Sequence, residues 1–290
     1  MYHVQNVADL LVRRADMAMK KGAKILFSSL KGGVGKSTAA SLVAAALAGD
    51  GYKTVLVDLD FRSRSLDLMS GVTDKVVFTF DDYILERCSA EAALVKMPIF
   101  PPQRGVVKAG ELLLCAACTE SVFESGGDGM YEKIGEALTR LAEESGADYV
   151  ICDTGADSRI PMTVADSFAD LAVVVSEQSR TAVRAAEMTA RRLSEGETVK
   201  AVRLLINNFD VEAARRGGRA GILEMIDGCS VRCIGVIPED RGLAARQDAG
   251  LLPHKSSPVV PAARNIARRL QGIETPLFSG MKRERRRAVL

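Results

Sequence analysis

A chain of 290 residues is long enough for one large α/β domain with a substantial core and short for two independent ones. Hydrophobic residues at 47% and charged residues at 26% exclude wholesale disorder, and 39 basic against 37 acidic residues leave no global charge to attract nucleic acid or membrane, so such a contact needs a local patch. No apolar run approaches the roughly 20 residues that cross a bilayer, no signal-peptide pattern opens the chain, and the cysteines are too sparse for a disulfide framework; the expectation is a cytoplasmic protein with reduced thiols.

Residues 1–22 predict a helical extension, with Val4, Val7, Leu11 and Ala15 on one face, Arg13, Arg14, Lys20 and Lys21 opposite or beyond, and Gly22 ending it. A buried-strand run follows from Ala23 to Ser29, then a Gly-rich turn and an Ala-rich helix from about Ser37 to Ala48, stopped by Gly49 and Gly51. The apolar run Thr54–Leu59 comes next. Strand, loop, helix and strand at this spacing form a βαβ unit, whose right-handed crossover makes the two strands parallel. Further strands are expected at Leu112–Cys115, Tyr149–Cys152, Leu171–Val175, Val202–Ile206 and Cys233–Ile237, with helices at Met130–Glu144, Thr181–Leu193 and Pro261–Leu270. These runs are continuously apolar, which marks strands buried on both faces. The predicted fold is a doubly wound α/β domain with a mostly parallel sheet over residues 23–275, binding its ligand at the carboxyl ends of the strands. Residues 276–290 are set apart as a basic tail.

Lys31-Gly32-Gly33-Val34-Gly35-Lys36-Ser37-Thr38 lies between the first strand and the first helix. Glycines there let backbone N–H groups approach phosphate oxygens, the helix N-terminus favours their charge, Lys36 reaches the β and γ phosphates, and the Ser37 hydroxyl suits Mg²⁺. The expected ligands are therefore a nucleotide's phosphates and Mg²⁺. The second strand delivers Asp58 and Asp60, two residues apart and so on one side of an extended chain, aimed at the phosphates. Asp153 ends the buried run Tyr149–Cys152 in the same orientation, where a carboxylate suits the outer shell of the magnesium.

With its additional lysine at the start of the loop, Lys31, the GK[ST] box resembles the deviant Walker A motif of the MinD/ParA superfamily of ATPases, and the stretch from Leu66 through Val77 is similar to MinD. The resemblance spans roughly residues 23 to 280. It implies an ATP-driven homodimer in which Lys31 reaches the partner subunit's nucleotide, Asp60 positions the attacking water and Asp58 supports the magnesium shell. It also implies that adenine is recognised by Asn207 and by the turn Pro238-Glu239-Asp240. MinD-like proteins usually carry a proline and a glycine where this chain has Gly155 and Asp157, a change that bears on turnover rather than on binding. The implied function is a spatial regulator of cell division with an activating protein partner and ATP-dependent attachment to an anionic membrane on the cytoplasmic face.

Two features point elsewhere. Cys115-Ala-Ala-Cys118 has metal-chelating spacing, and related metallocentre-assembly ATPases use paired cysteines across a dimer; a single pair with only two histidines in the chain favours buried core residues instead. Relatives in flagellar placement also carry N-terminal extensions. DNA is the less expected partner, because no helix-turn-helix pattern is present, although ParA relatives bind it through diffuse basic surfaces. In the tail, Leu277, Phe278, Met281, Ala288 and Val289 share one side of a helical wheel, and five basic residues contribute about 1 kcal/mol each near an anionic surface.

Overall fold

The computed structural model describes residues 19, 21–103, 105–118, 128–156 and 159–281. The extension around Val4 to Ala15, Asp157 and the basic residues after Met281 lie outside the described residues.

Eight described strands make one sheet: β1 (Ala23–Ser28), β2 (Lys53–Leu59), β3 (Leu94–Lys96), β4 (Glu111–Cys115), β5 (Tyr149–Thr154), β6 (Leu171–Ser176), β7 (Ala201–Phe209) and β8 (Cys233–Pro238). Their order across it is β3-β4-β2-β5-β1-β6-β7-β8, parallel throughout except for β3 against β4. Every residue of β5 and β6 is buried, as their unbroken apolar runs require. The sequence expectation contains seven of these strands. It lacks β3, whose three residues include one exposed and one half-buried position and are too few to show a period.

The helices in chain order are α1 (Lys36–Gly49), α2 (Leu66–Met69), α3 (Phe80–Ile84), α4 (Ala90–Ala93), α5 (Asp128–Ser145), α6 (Arg159–Ser167), α7 (Arg180–Leu193), α8 (Val211–Arg215), α9 (Ile222–Cys229), α10 (Leu243–Asp248) and α11 (Val259–Leu270). They cover both faces of the sheet. One core joins the sheet to α5, α6, α7 and α9 through residues such as Leu138, Val164, Leu193 and Met225. The other joins it to α1 and α11 through Val43, Leu47, Ala263 and Ile266. Helix α1 is buried nearly all round, because it is held between the sheet and α11; small alanines allow that close approach.

The packed chain continues past residue 275 to Met281. Arg269, 6% exposed, donates to the carbonyls of Thr275 and Ile234, and burial lowers its pKa to about 10. The Asn265 amide donates to the carbonyls of Leu277 and Ser279. Leu277 and Met281 are buried and Phe278 packs against both cores, in a non-helical segment. The helical-wheel expectation is corrected here. Three of its five apolar residues cover the body, and the transfer energy that holds them there is not free to bind a membrane.

A parallel sheet collects its carboxyl ends on one edge. The loops after β1, β2, β5, β6, β7 and β8 therefore converge there, and the residues expected from the sequence to meet a nucleotide and Mg²⁺ lie on or beside them.

Candidate functional site

After β1 the chain turns through Ser29 to Gly35 into α1. Gly33 and Gly35 have φ of +76° and +81°, left-handed values that side chains rarely adopt. A Cβ on Gly33 would meet nothing within 4 Å, so the loop faces open space there, as a cradle for a phosphate must. At Gly35 a Cβ would lie 2.1 Å from the Asn207 amide nitrogen. That amide donates to the Val34 carbonyl at 2.9 Å and so pins the loop from the end of β7. Asn207, which the resemblance assigns to adenine, lies beside the loop, and its observed partner is the loop backbone.

Lys36 is 7% exposed, with no ion pair or hydrogen bond among the described residues, and Ser37 lies beside it at the start of α1. Lys31 is placed differently. Its ammonium meets the Glu177 carboxylate at 2.5 Å, just beyond the end of β6 on the same protomer. The sequence reading did not single out Glu177, although its position directly after a strand of the ligand-side edge was a usable signal.

Asp58 and Asp153 are register partners on the adjacent parallel strands β2 and β5. Both are almost wholly buried. Asp58 accepts from the N–H groups of Asp60 at 3.0 Å and Leu66 at 3.4 Å. Burial pushes its carboxyl well above the usual range, with the Asp153 charge next, against those two backbone donors. Neither oxygen of Asp153 has a hydrogen-bond partner. Burial pushes its carboxyl up to about 7; the Ser37 hydroxyl, beside it but outside hydrogen-bond geometry, and the Lys36 ammonium pull the other way. Two buried, adjacent carboxylates, one of them with both oxygens unsatisfied, beside a serine hydroxyl form the environment that a hard divalent cation relieves, and the donor set Ser37, Asp58 and Asp153 fits Mg²⁺.

Strand β2 ends at Leu59, so Asp60 stands in the following turn and its carboxylate does not share a strand face with Asp58. The carboxylate beside Asp58 is Asp153, an adjacency that comes from strand order rather than from sequence spacing. Asp60 instead accepts from the Ser63 N–H at 3.3 Å and the Ser63 hydroxyl at 2.9 Å. Its turn lines a cavity of about 420 Å³ together with Gly33, Lys36, Ser37, Arg62 and Ala156. Arg62, Ser63 and Ala156 stand in the stretches that follow Asp60 and Asp153, and the sequence assigns them no role because it does not show which side chains there face the cavity.

A neighbouring cavity of about 290 Å³ runs along the loop's other side, lined by Thr38, Glu177, Asn207, Pro238, Asp240 and Gln247 among others. The turns that the resemblance assigns to the base, at Asn207 and at Pro238 and Asp240, meet there. Asp240 organises its rim, accepting from the Gly242 N–H at 2.9 Å and from the Ser257 hydroxyl. Glu239 is not in that lining: its N–H donates to the Phe209 carbonyl and its carboxylate is 3.8 Å from Arg241. Cys115, at the end of β4, is fully buried, and desolvation raises its thiol far above the range in which a thiolate ligand forms readily. Cys118 is half-buried, and no group of three or more His, Cys, Asp or Glu side chains that could hold a metal occurs among the described residues. Cys229 and Cys233 are buried core residues. No described helix is long and apolar enough to cross a membrane.

The CobQ/CobB/MinD/ParA nucleotide binding domain matches residues 25–253. The septum site-determining protein MinD of Synechocystis sp. is 30% identical over 260 residues, covering 89% of this chain and 92% of its own length. MinD of Bacillus subtilis is 29% identical over 88% of this chain and 91% of its own. In the MinC:MinD cell division protein complex of Aquifex aeolicus, a chain 26% identical matches with a TM-score of 0.74 over 88% of this chain and 98% of that one.

Proposed function

This chain belongs to the CobQ/CobB/MinD/ParA nucleotide-binding family, and from that membership we propose that it is a MinD-like ATPase that switches from monomer to homodimer on binding ATP. The observation that carries the reading is the loop with two lysines at the carboxyl edge of the sheet, one buried against the phosphate cradle and the other held at its rim.

In this reading the backbone of Gly32, Gly33, Val34 and Gly35 and the side chain of Lys36 bind the β and γ phosphates, and Thr38, Asn207, Pro238 and Asp240 bound the base, with Glu239 shaping the turn. Ser37, Asp58 and Asp153 would hold Mg²⁺, directly or through water, and the ion would supply charge neutralisation at the phosphates. Asp60 exchanges its Ser63 bonds for the attacking water. The water oxygen joins the γ-phosphorus as the bond to the β–γ bridging oxygen breaks, the electron pair leaves with ADP, and a proton is released to solvent. Lys31 leaves Glu177 to reach the nucleotide of a second copy, so ATP holds two subunits face to face. A partner protein that stimulates turnover and a role in placing the division site follow from the kinship with MinD, one relative of which is seen with MinC.

The tail's contribution to membrane attachment rests on residues 282–290, since the apolar residues up to Met281 are packed, and the extension around Val4 to Ala15 is the other candidate anchor. Five basic residues give at most roughly 5 kcal/mol before ordering costs, marginal for one tail and sufficient for two presented together. The test is sedimentation with anionic vesicles. Full-length protein should pellet with ATP, less with ADP, and not in high salt, while deletion of residues 282–290 should leave ATP hydrolysis intact and abolish pelleting. A full-length protein that ignores the vesicles in both nucleotides would remove the membrane cycle; one that pellets without the tail would move the anchor elsewhere.

A further inference from the structure

The turn after β2 presents an arginine to the phosphate cavity. We propose that Arg62 is a catalytic residue, supplied by the same protomer, that meets the charge developing on the γ-phosphoryl oxygens during hydrolysis; the inference rests on the ATPase reading of the site.

Three cations stand near the phosphate cradle. Lys36 is buried at its base, and Lys31 is held at the rim by Glu177. Arg62 is exposed, lines the same cavity as Gly33, Lys36 and Asp60, and has no ion pair or hydrogen bond among the described residues. A guanidinium that opens onto a phosphate cavity without a carboxylate is available for an oxyanion, and its planar fork suits two phosphoryl oxygens at once.

The backbone that carries Arg62 is held on both sides. Before it, Phe61 is 4% exposed and its ring stacks on Phe80 with centroids 6.5 Å apart, which turns the next side chain outward. Around it, the Asp60 carbonyl accepts from the N–H groups of Ser63 at 3.2 Å and Arg64 at 3.0 Å, closing a tight turn with Arg62 at its crest. After it, Arg64 sits at φ +37°, a strained value for a residue other than glycine, and is fixed by an ion pair at 3.2 Å to Asp67, which is 1% exposed. Such a turn holds the backbone of Arg62 at the cavity, so that only its side chain has to reorganise to meet the charge of the transition state.

Asp60 and Arg62 are then two residues of one turn with complementary tasks, the first on the attacking water and the second on the group it attacks. Because the arginine comes from the same chain, part of the charge stabilisation is present before a second copy or an activator arrives.

The test compares full-length parent protein with Arg62→Ala, Arg62→Gln and Arg62→Lys in three measurements with Mg²⁺. These are equilibrium binding of a non-hydrolysable ATP analogue, single-turnover hydrolysis, and retention of ADP with aluminium fluoride, which mimics the transferring phosphoryl group. Arg62→Ala and Arg62→Gln should bind the analogue within about threefold of the parent, hydrolyse ATP roughly a hundredfold more slowly and fail to retain ADP with aluminium fluoride, and Arg62→Lys should recover part of that retention. A variant that retains the fluoride complex like the parent, or hydrolyses within about threefold of it, overturns the proposal. Equal losses in analogue and fluoride binding also overturn it, because Arg62 would then be a ground-state contact. A parent protein that binds no ATP analogue would instead overturn the nucleotide reading itself.

Discussion

The loop before α1 and the loop after β2 face each other across one cavity, and they are shaped by different means. The first takes its form from backbone: two glycines in left-handed conformations, the start of α1, and an Asn207 amide that leaves no room for a side chain at Gly35. The second has no glycine between Asp60 and Ser70 and takes its form from side chains: Asp58 and Asp60 accept backbone N–H groups, and Arg64 is strained against Asp67. A backbone cradle has one shape. A turn held by a few side-chain bonds has a second shape available once those side chains find other partners, as a switch requires. Changes in the first loop should therefore abolish binding, and changes in the second should alter turnover while binding survives.

Lys36→Ala bears hardest on that contrast. It should cost at least about a thousandfold in affinity for a labelled ATP analogue, some 4 kcal/mol, because a buried cation on the phosphates is lost. Undiminished affinity would remove the phosphate-loop assignment. Asp60→Ala should bind the same analogue normally and form a stable dimer in ATP, with hydrolysis slower by about a hundredfold, since water positioning acts at the transition state. An Asp60→Ala protein that stays monomeric would put the two loops in one functional class.

The carboxylates on which the two loops meet give a pH test. Burial holds Asp153 near 7 in the folded chain against an ordinary value of 3.8, so the folded form keeps the proton to higher pH. Its contribution to stability is full below about 4 and is lost as pH rises through 7. Without nucleotide and magnesium, the protein should lose on the order of 1 kcal/mol between pH 6 and pH 8, and Asp58, also raised, adds with the same sign. Chemical denaturation of Asp153→Asn should show a flatter profile and greater stability than the parent at pH 8. A profile unchanged by the substitution would mean that this carboxylate is not the strained one.

The smallest effect is expected at the rim. The Lys31–Glu177 pair is partly open to solvent and contributes below about 1 kcal/mol, so Glu177→Gln should lower the ATP concentration at the dimerisation midpoint by less than about fivefold. A shift toward monomer would show that Glu177 serves the dimer instead.

The same contrast accounts for what the sequence discloses. Glycines with a lysine and a serine between a strand and a helix are contiguous, and backbone geometry demands them, so the first loop is legible residue by residue. The parallel sheet is legible for a related reason, since runs such as Leu171–Val175 are apolar without a break. The second loop works through contacts that no spacing encodes. Asp58 meets Asp153 because β2 lies beside β5, Lys31 meets Glu177 across 146 positions, and Arg62 faces the cavity because Phe61 is anchored in the core. Likewise, Leu277 and Met281 look like membrane-binding residues until the body they cover is seen.

The central claim is that ATP converts one chain into two held face to face. Light scattering on the full-length protein with Mg²⁺ measures this directly: with ADP the mass should be near 31.1 kDa, with ATP near twice that, and Lys31→Ala should bind ATP yet remain near 31.1 kDa. The same mass in ATP and ADP for the parent protein, or a dimer that forms without Lys31, would contradict the account.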